Sequence, residues 1–142
     1  MTKEVMIRIV GNQKLDGVDE PAESVALETR GTYYLKNNRH YVIYEESCEE
    51  ISQTTKNTLK IHEQGVDLNK HGITNVHMLF EKNKKNLTTY QTPFGSLMMG
   101  IETGVLEIKE EADQILVRME YVLEIDDRKH ADCELSIEIS SI

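Results

Sequence analysis

From Gly95 to Ile139 the chain alternates between apolar and polar residues almost without a break. In the cleanest stretch Ile115, Val117, Met119, Tyr121, Leu123 and Ile125 hold every second position. After Asp126-Asp127-Arg128 the pattern resumes with Ala131, Cys133, Leu135, Ile137 and Ile139. A period of two belongs to a strand with one face on a core and the other in water. Paired strands of this length form a sheet that twists and coils, which draws it toward a barrel.

Both apolar sets carry odd numbers, so residues that oppose one another must share parity. A two-residue turn at Asp126-Asp127 would set the apolar face of one strand against the polar face of the other. The spacing therefore predicts a three-residue loop, Asp126 to Arg128. It pairs Leu123 with Ala131, Tyr121 with Cys133, Met119 with Leu135, Val117 with Ile137 and Ile115 with Ile139. A slip of one residue in either strand would turn its apolar set to solvent.

Eight further strands are expected upstream: Val5–Val10, Ser24–Lys36, Arg39–Ser47, Thr54–His62, Val66–His71, Val76–Phe80, Asn86–Thr92 and Gly95–Ile108. With Ile115–Ile125 and Lys129–Ile139 the total is ten strands, no helix, and one domain over residues 1–142. Residues 12–23 read as an irregular loop, and Glu46–Gln53 as a helical turn or an irregular crossover. A tight turn at Asn37-Asn38 would pair Tyr33 with Val42, Gly31 with Tyr44 and Thr29 with Glu46 on one face. The other face would carry Tyr34 with Tyr41, Thr32 with Ile43 and Arg30 with Glu45. The expected architecture is an all-β, single antiparallel, mostly meander barrel.

The strand Gly95–Ile108 changes face along its length. Leu97, Met99 and Ile101 favour the odd face, whereas Leu106 and Ile108 favour the even face. A four-residue loop from Lys109 to Ala112 would set Leu106 against Ile115, Gly104 against Val117 and Glu102 against Met119. Continued straight, the strand points Met98 and Glu102 into the barrel. A bulge near Gly104 flips its first half and sends Glu102 to solvent, and the bulge accounts better for Leu97, Met99 and Ile101.

Charge narrows the partners. With 25 acidic against 16 basic side chains the formal charge is -9, which argues against a nucleic-acid backbone as partner. The compact basic cluster Lys82, Lys84 and Lys85 reads as a solvated hairpin turn. Two cysteines make no disulfide scaffold: Cys133 lies on the apolar register, and Cys48 has Glu49 and Glu50 beside it, which disfavour a thiolate. No leader and no stretch of membrane-spanning length is expected, so the chain is placed in a reducing cytoplasm.

Chemical motifs are sparse. His62, Asp67, His71 and His77 match no compact metal-ligand spacing, and no nucleophile elbow or phosphate-cradling glycine loop is present. No cofactor, metal or catalytic residue is expected. The ligand-facing candidates are Tyr33, Tyr44, Met119 and Tyr121, joined by Met98 and Glu102 if the Gly95 strand runs straight. Core packing, with one hydrogen bond for each buried hydroxyl, competes with ligand contact at the tyrosines. On the opposite face of Ile115–Ile125, Leu116 and Val122 accompany Arg118, Glu120 and Glu124, a surface that a second copy could cover.

Gly31-Thr32-Tyr33-Tyr34, Tyr41-Val42-Ile43-Tyr44-Glu45-Glu46, Thr92-Pro93-Phe94-Gly95 and Tyr121-Val122-Leu123, in this order and spacing, resemble the YwiB-like or DUF1934 proteins. The resemblance implies a bacterial, cytoplasmic, lipocalin-like (calycin-like) barrel and supplies no catalytic residues. Two functions follow as expectations: a non-catalytic barrel that binds a small, partly apolar molecule, and a structural or protein-interaction barrel that acts as a homo-oligomer, such as a homodimer, with a filled core. An enzyme is the weakest alternative, since it would need a carboxylate such as Glu102 to converge with Arg or His.

Overall fold

The computed structural model describes residues 1–20, 23–48, 53–72 and 75–142. Ten strands run through them: β1 (Glu4–Leu15), β2 (Glu23–Lys36), β3 (Arg39–Cys48), β4 (Gln53–His62), β5 (Gly65–His71), β6 (Val76–Glu81), β7 (Lys84–Thr92), β8 (Gly95–Glu110), β9 (Gln114–Ile125) and β10 (Arg128–Ser141). All belong to one sheet in the order β6-β5-β4-β3-β2-β1-β10-β9-β8-β7, with every ladder antiparallel. Every neighbouring pair in this order is consecutive in the chain, except that β1 lies on β10 from Val5–Ser141 to Leu15–Ala131. The result is a nearly closed meander barrel, with no helix among the described residues.

The seam lies between β6 and β7. Asn75 and Gln91 exchange two backbone hydrogen bonds of 3.1 Å, and Asn86 Nδ2 donates to the Leu79 carbonyl at 3.2 Å. The turn between these strands leans on β8 instead, where Asn83 N–H donates to the Thr103 carbonyl at 2.7 Å. β7 places polar Asn86 and Thr88 opposite the inward Ile101 and Met99, and exposes Leu87. A strand with so little apolar surface on its inner face specifies its pairing weakly.

All five expected β9–β10 pairs are present, but a different device sets them. Asp126 and Asp127, at φ 49° and 66°, make a two-residue turn that leaves Ile125 opposite Arg128. Parity is then restored by a bulge at His130, where the ladder slips between Lys129 and Ala131. The His130 carbonyl meanwhile accepts the Asp16 N–H at 2.8 Å.

In β8 the bulge falls at Gly104, between the Thr103–Tyr121 and Val105–Glu120 pairs. The pairing beyond it differs from expectation: Leu106 faces Met119, and Ile115 faces Glu110. The hairpin zips two residues further along β8, through Lys109–Leu116 and Glu110–Ile115, and Glu111 N–H bonds the Gln114 carbonyl at 2.8 Å. This change leaves every residue on its expected face. β1 likewise runs on to Leu15 rather than ending at Val10, because β10 and β2 supply partners to its polar residues from both sides. Glu46 to Cys48 continue β3 and Gln53 opens β4, so these positions are strand and not a helical turn; residues 49–52, with the Cys48 side chain, lie outside the described residues.

Asn37 and Asn38, at φ 52° and 60°, form the tight turn between β2 and β3. Four of the expected pairs are made, from Tyr34–Tyr41 to Gly31–Tyr44. Thr29–Glu46 and Arg30–Glu45 are not, because the ladder stops at Gly31. There the backbone runs so close to its neighbours that a Cβ would lie 2.6 Å from Ile7 Cδ1 and 2.8 Å from the Ile43 carbonyl oxygen. Beyond this point β2 stays with β1 and β3 stays with β4, so the wall parts.

Two stability measurements follow. Gly31→Ala should lose about 1–3 kcal/mol in urea unfolding, because the Ile43 backbone must move to admit the methyl group. Asp127→Gly should gain about 0.5 kcal/mol, the left-handed penalty relieved minus the added chain entropy of glycine. An unchanged midpoint for Gly31→Ala would contradict the close approach.

Candidate functional site

The middle of the barrel is filled by its own side chains. Ile7, Val42, Leu59, Ile61, Phe80, Ile101 and Met119 are fully buried there, so the candidate Met119 is part of the plug. Tyr121 sits against it with its ring edge-on to Phe80, centroids 5.0 Å apart. Burial, and then its hydrogen-bonded neighbour Cys133, raise the Tyr121 pKa. Burial likewise pushes the Cys133 thiol up, and the Tyr121 hydrogen bond only partly offsets it, so this cysteine is a poor nucleophile.

Tyr33 lies toward the end that carries the short turns. Its hydroxyl is 2.7 Å from His40 Nδ1, and His40 Nε2 is 2.8 Å from Glu110 Oε1. Burial and the Glu110 charge raise the Tyr33 pKa, so the phenol keeps its proton. The Glu110 carboxylate accepts from His40 Nε2, and the direction of the Tyr33–Nδ1 bond follows the His40 tautomer. This chain ties the β2–β3 hairpin to the end of β8 beside a concavity of about 570 Å³. No sequence spacing announces it, since its members lie 7 and 70 residues apart.

The opposite end carries the longer connections, and here the wall has parted. Tyr44, Asn57 and Lys70 form one row across β3, β4 and β5 on the inner face. Tyr44 is buried, and burial first and Glu46 second raise its pKa. Asn57 is 0% exposed, donates from Nδ2 to Glu46 Oε1 at 3.0 Å, and leaves Oδ1 without a partner among the described residues. Lys70 Nζ donates to the same Glu46 oxygen at 2.8 Å. On the β9, β10, β1 and β2 side the inward Leu123, Leu135, Ile9 and Leu27 are only half-buried, and Val25 is 71% exposed. This end of the barrel thus combines an apolar wall with a charged one that offers both donors and acceptors.

Met98 and Glu102 do not belong to the interior. The Gly104 bulge puts the first half of β8 on odd register, so Met98 is 44% exposed and Glu102 lies outside, opposite Val122 and Lys85. Of His62, Asp67, His71 and His77, whose spacing fits no metal motif, His77 Nε2 contacts Asp67 Oδ1 at 2.6 Å and His62 opposes Gly65. Among the described residues no group of three or more His, Cys, Asp or Glu side chains could hold a metal ion, and no helix is long and apolar enough to cross a membrane. Lys84 is paired with Glu81 at 3.5 Å and Lys85 with Glu124, so the lysine turn is a solvated, ion-paired turn.

No curated protein matches the chain. The crystal structure of the ywiB protein from Bacillus subtilis superposes with a TM-score of 0.80. That match covers 100% of this chain and 95% of that one at 19% identity, a likeness that shows the fold. The domain of unknown function DUF1934 matches residues 7–137. Through that match over nearly its whole length, the chain belongs to the DUF1934 family.

Proposed function

We propose that this barrel binds a small, partly apolar molecule at the parted end, where β2 leaves β3, rather than in the middle. The observation that carries the proposal is Asn57: a fully buried amide with an unused oxygen, beside an ion pair on the inner wall. A buried polar atom without a partner costs free energy, and functional sites are where such a cost is retained. The Glu46–Lys70 pair is partly exposed, with side-chain accessibilities of 36% and 26%, so it is worth at most about 1 kcal/mol and can reorganise cheaply around a guest.

The apolar body of the guest would rest on Ile9, Leu27, Leu123 and Leu135, and its polar group would meet Glu46 and Lys70. Tyr44 supports that wall from below. Tyr33, Met119 and Tyr121 keep a structural part in this scheme, as plug and strut. The proposed setting is the cytoplasm, and the proposed role is binding without catalysis.

Native mass spectrometry of gently purified protein, joined to a thermal-shift screen of metabolites, tests this directly. A retained or screened ligand should bind at least tenfold more weakly to Leu27→Asp and to Lys70→Met, and equally well to Leu87→Asp on the outside. A ligand whose affinity responds to Leu87→Asp and ignores Leu27 would move the site elsewhere. A protein that carries nothing and responds to nothing in the panel would count against binding as the function.

A further inference from the structure

The outer face of β1, β10, β9 and β8 carries two adjoining concavities, of about 360 and 810 Å³. They follow one another along the strands. The first is lined by Leu116 and Arg118 of β9, the second by Glu120 and Val122. The charges are divided the same way: Arg8, Lys109 and Arg118 against two carboxylates in the first, and Glu102, Glu120, Asp132 and Glu134 against one lysine in the second.

The outward residues of β9 have an order that matches its own reverse. Leu116, Arg118, Glu120 and Val122 read apolar, positive, negative, apolar about Met119. Reversed, the apolar positions coincide and the charges exchange. On the neighbouring strand the outer two positions also exchange charge, since Lys109 stands beside Leu116 and Glu102 beside Val122, while Glu107 and Val105 between them do not.

We infer that this face docks a second copy of the chain, about a two-fold axis that crosses β9 at Met119. An isologous contact brings one patch onto itself, so the patch must be self-complementary. This axis lays Leu116 on the partner copy's equivalent of Val122 and Arg118 on its equivalent of Glu120, each twice. Lys109 meets the equivalent of Glu102. Within one chain Arg118 already reaches Glu120 at 3.2 Å and Glu107 at 3.6 Å, with the guanidinium half exposed, so its remaining N–H groups stay free for a partner. On β1 and β10 the same axis would oppose Arg8 to Lys14 and Glu138 to Asp132, so the contact is confined to β9 and β8. The -9 charge of each copy repels at long range, but at physiological salt the screening length is about 8 Å, and the local pairs decide.

Sedimentation and native mass spectrometry of charge-reversal variants test the arrangement. The wild-type chain should be a dimer. Arg118→Glu and Glu120→Arg should each weaken it by about tenfold or more, because each puts like charges together twice. The double variant should dimerise again, and an equimolar mixture of the two single variants should form a heterodimer. All are surface changes, so circular dichroism should remain that of the wild type. A wild type that stays monomeric at millimolar concentration overturns the inference. So does a dimer indifferent to the single reversals, or a mixture and double variant that fail to recover it.

Discussion

The ladder between β1 and β10 is the constraint on which the barrel depends. It joins residues from opposite ends of the chain, from Val5–Ser141 to Leu15–Ala131, while every other ladder is a local hairpin. Without it β1 and β10, of 12 and 14 residues, would both present open edges. Such edges invite pairing between molecules. Contacts this distant in sequence also form slowly, because the intervening chain must be ordered before they bring a return.

Given that ladder, the position of the seam has a physical reason. β6 and β7 are joined covalently by the turn at Lys82-Asn83, so the chain itself holds the edges together where hydrogen bonds are fewest. A seam between strands remote in sequence would have no such tether. Lysines at this turn add a charge barrier to the exposed edge, and their ion pairs with Glu81 and Glu124 hold them in place.

Much of this was legible in the amino-acid order because parity is unforgiving. The odd-numbered apolar residues of β9 and β10 allow few registers, and Leu97, Met99 and Ile101 against Leu106 and Ile108 require a bulge between them. What parity cannot decide is which device satisfies it. A three-residue loop and a two-residue turn followed by a bulge at His130 give the same five pairs. The deciding fact is that aspartate tolerates left-handed backbone, and two successive aspartates suit the two-residue turn. The candidate site was legible only in part. Asn57 extends the odd register of Leu59 and Ile61, and that signal could have placed it inside. Lys70 and Glu46 needed the pairings of three strands at once, and His40 with Glu110 needed the closure of the whole sheet.

Gly31 links the plug to the parted end. Its missing side chain lets β2 come close enough to Ile7 and Ile43 for the middle of the barrel to pack without a gap. The β2–β3 ladder ends at the same residue, so the dense centre and the open end share a boundary. A barrel of ten strands cannot fill its whole length with the side chains of a 142-residue chain and also keep its inner wall accessible. Here the two demands are separated along the axis. Aliphatic and aromatic residues that need only each other occupy the middle. Asn57, whose Oδ1 lacks a partner among the described residues, sits where the wall opens, although Thr103 Oγ1, buried opposite Tyr121, lacks one as well. The outward charges of β9 lie on the other side of the sheet, so an event at either surface can occur without repacking the core between them.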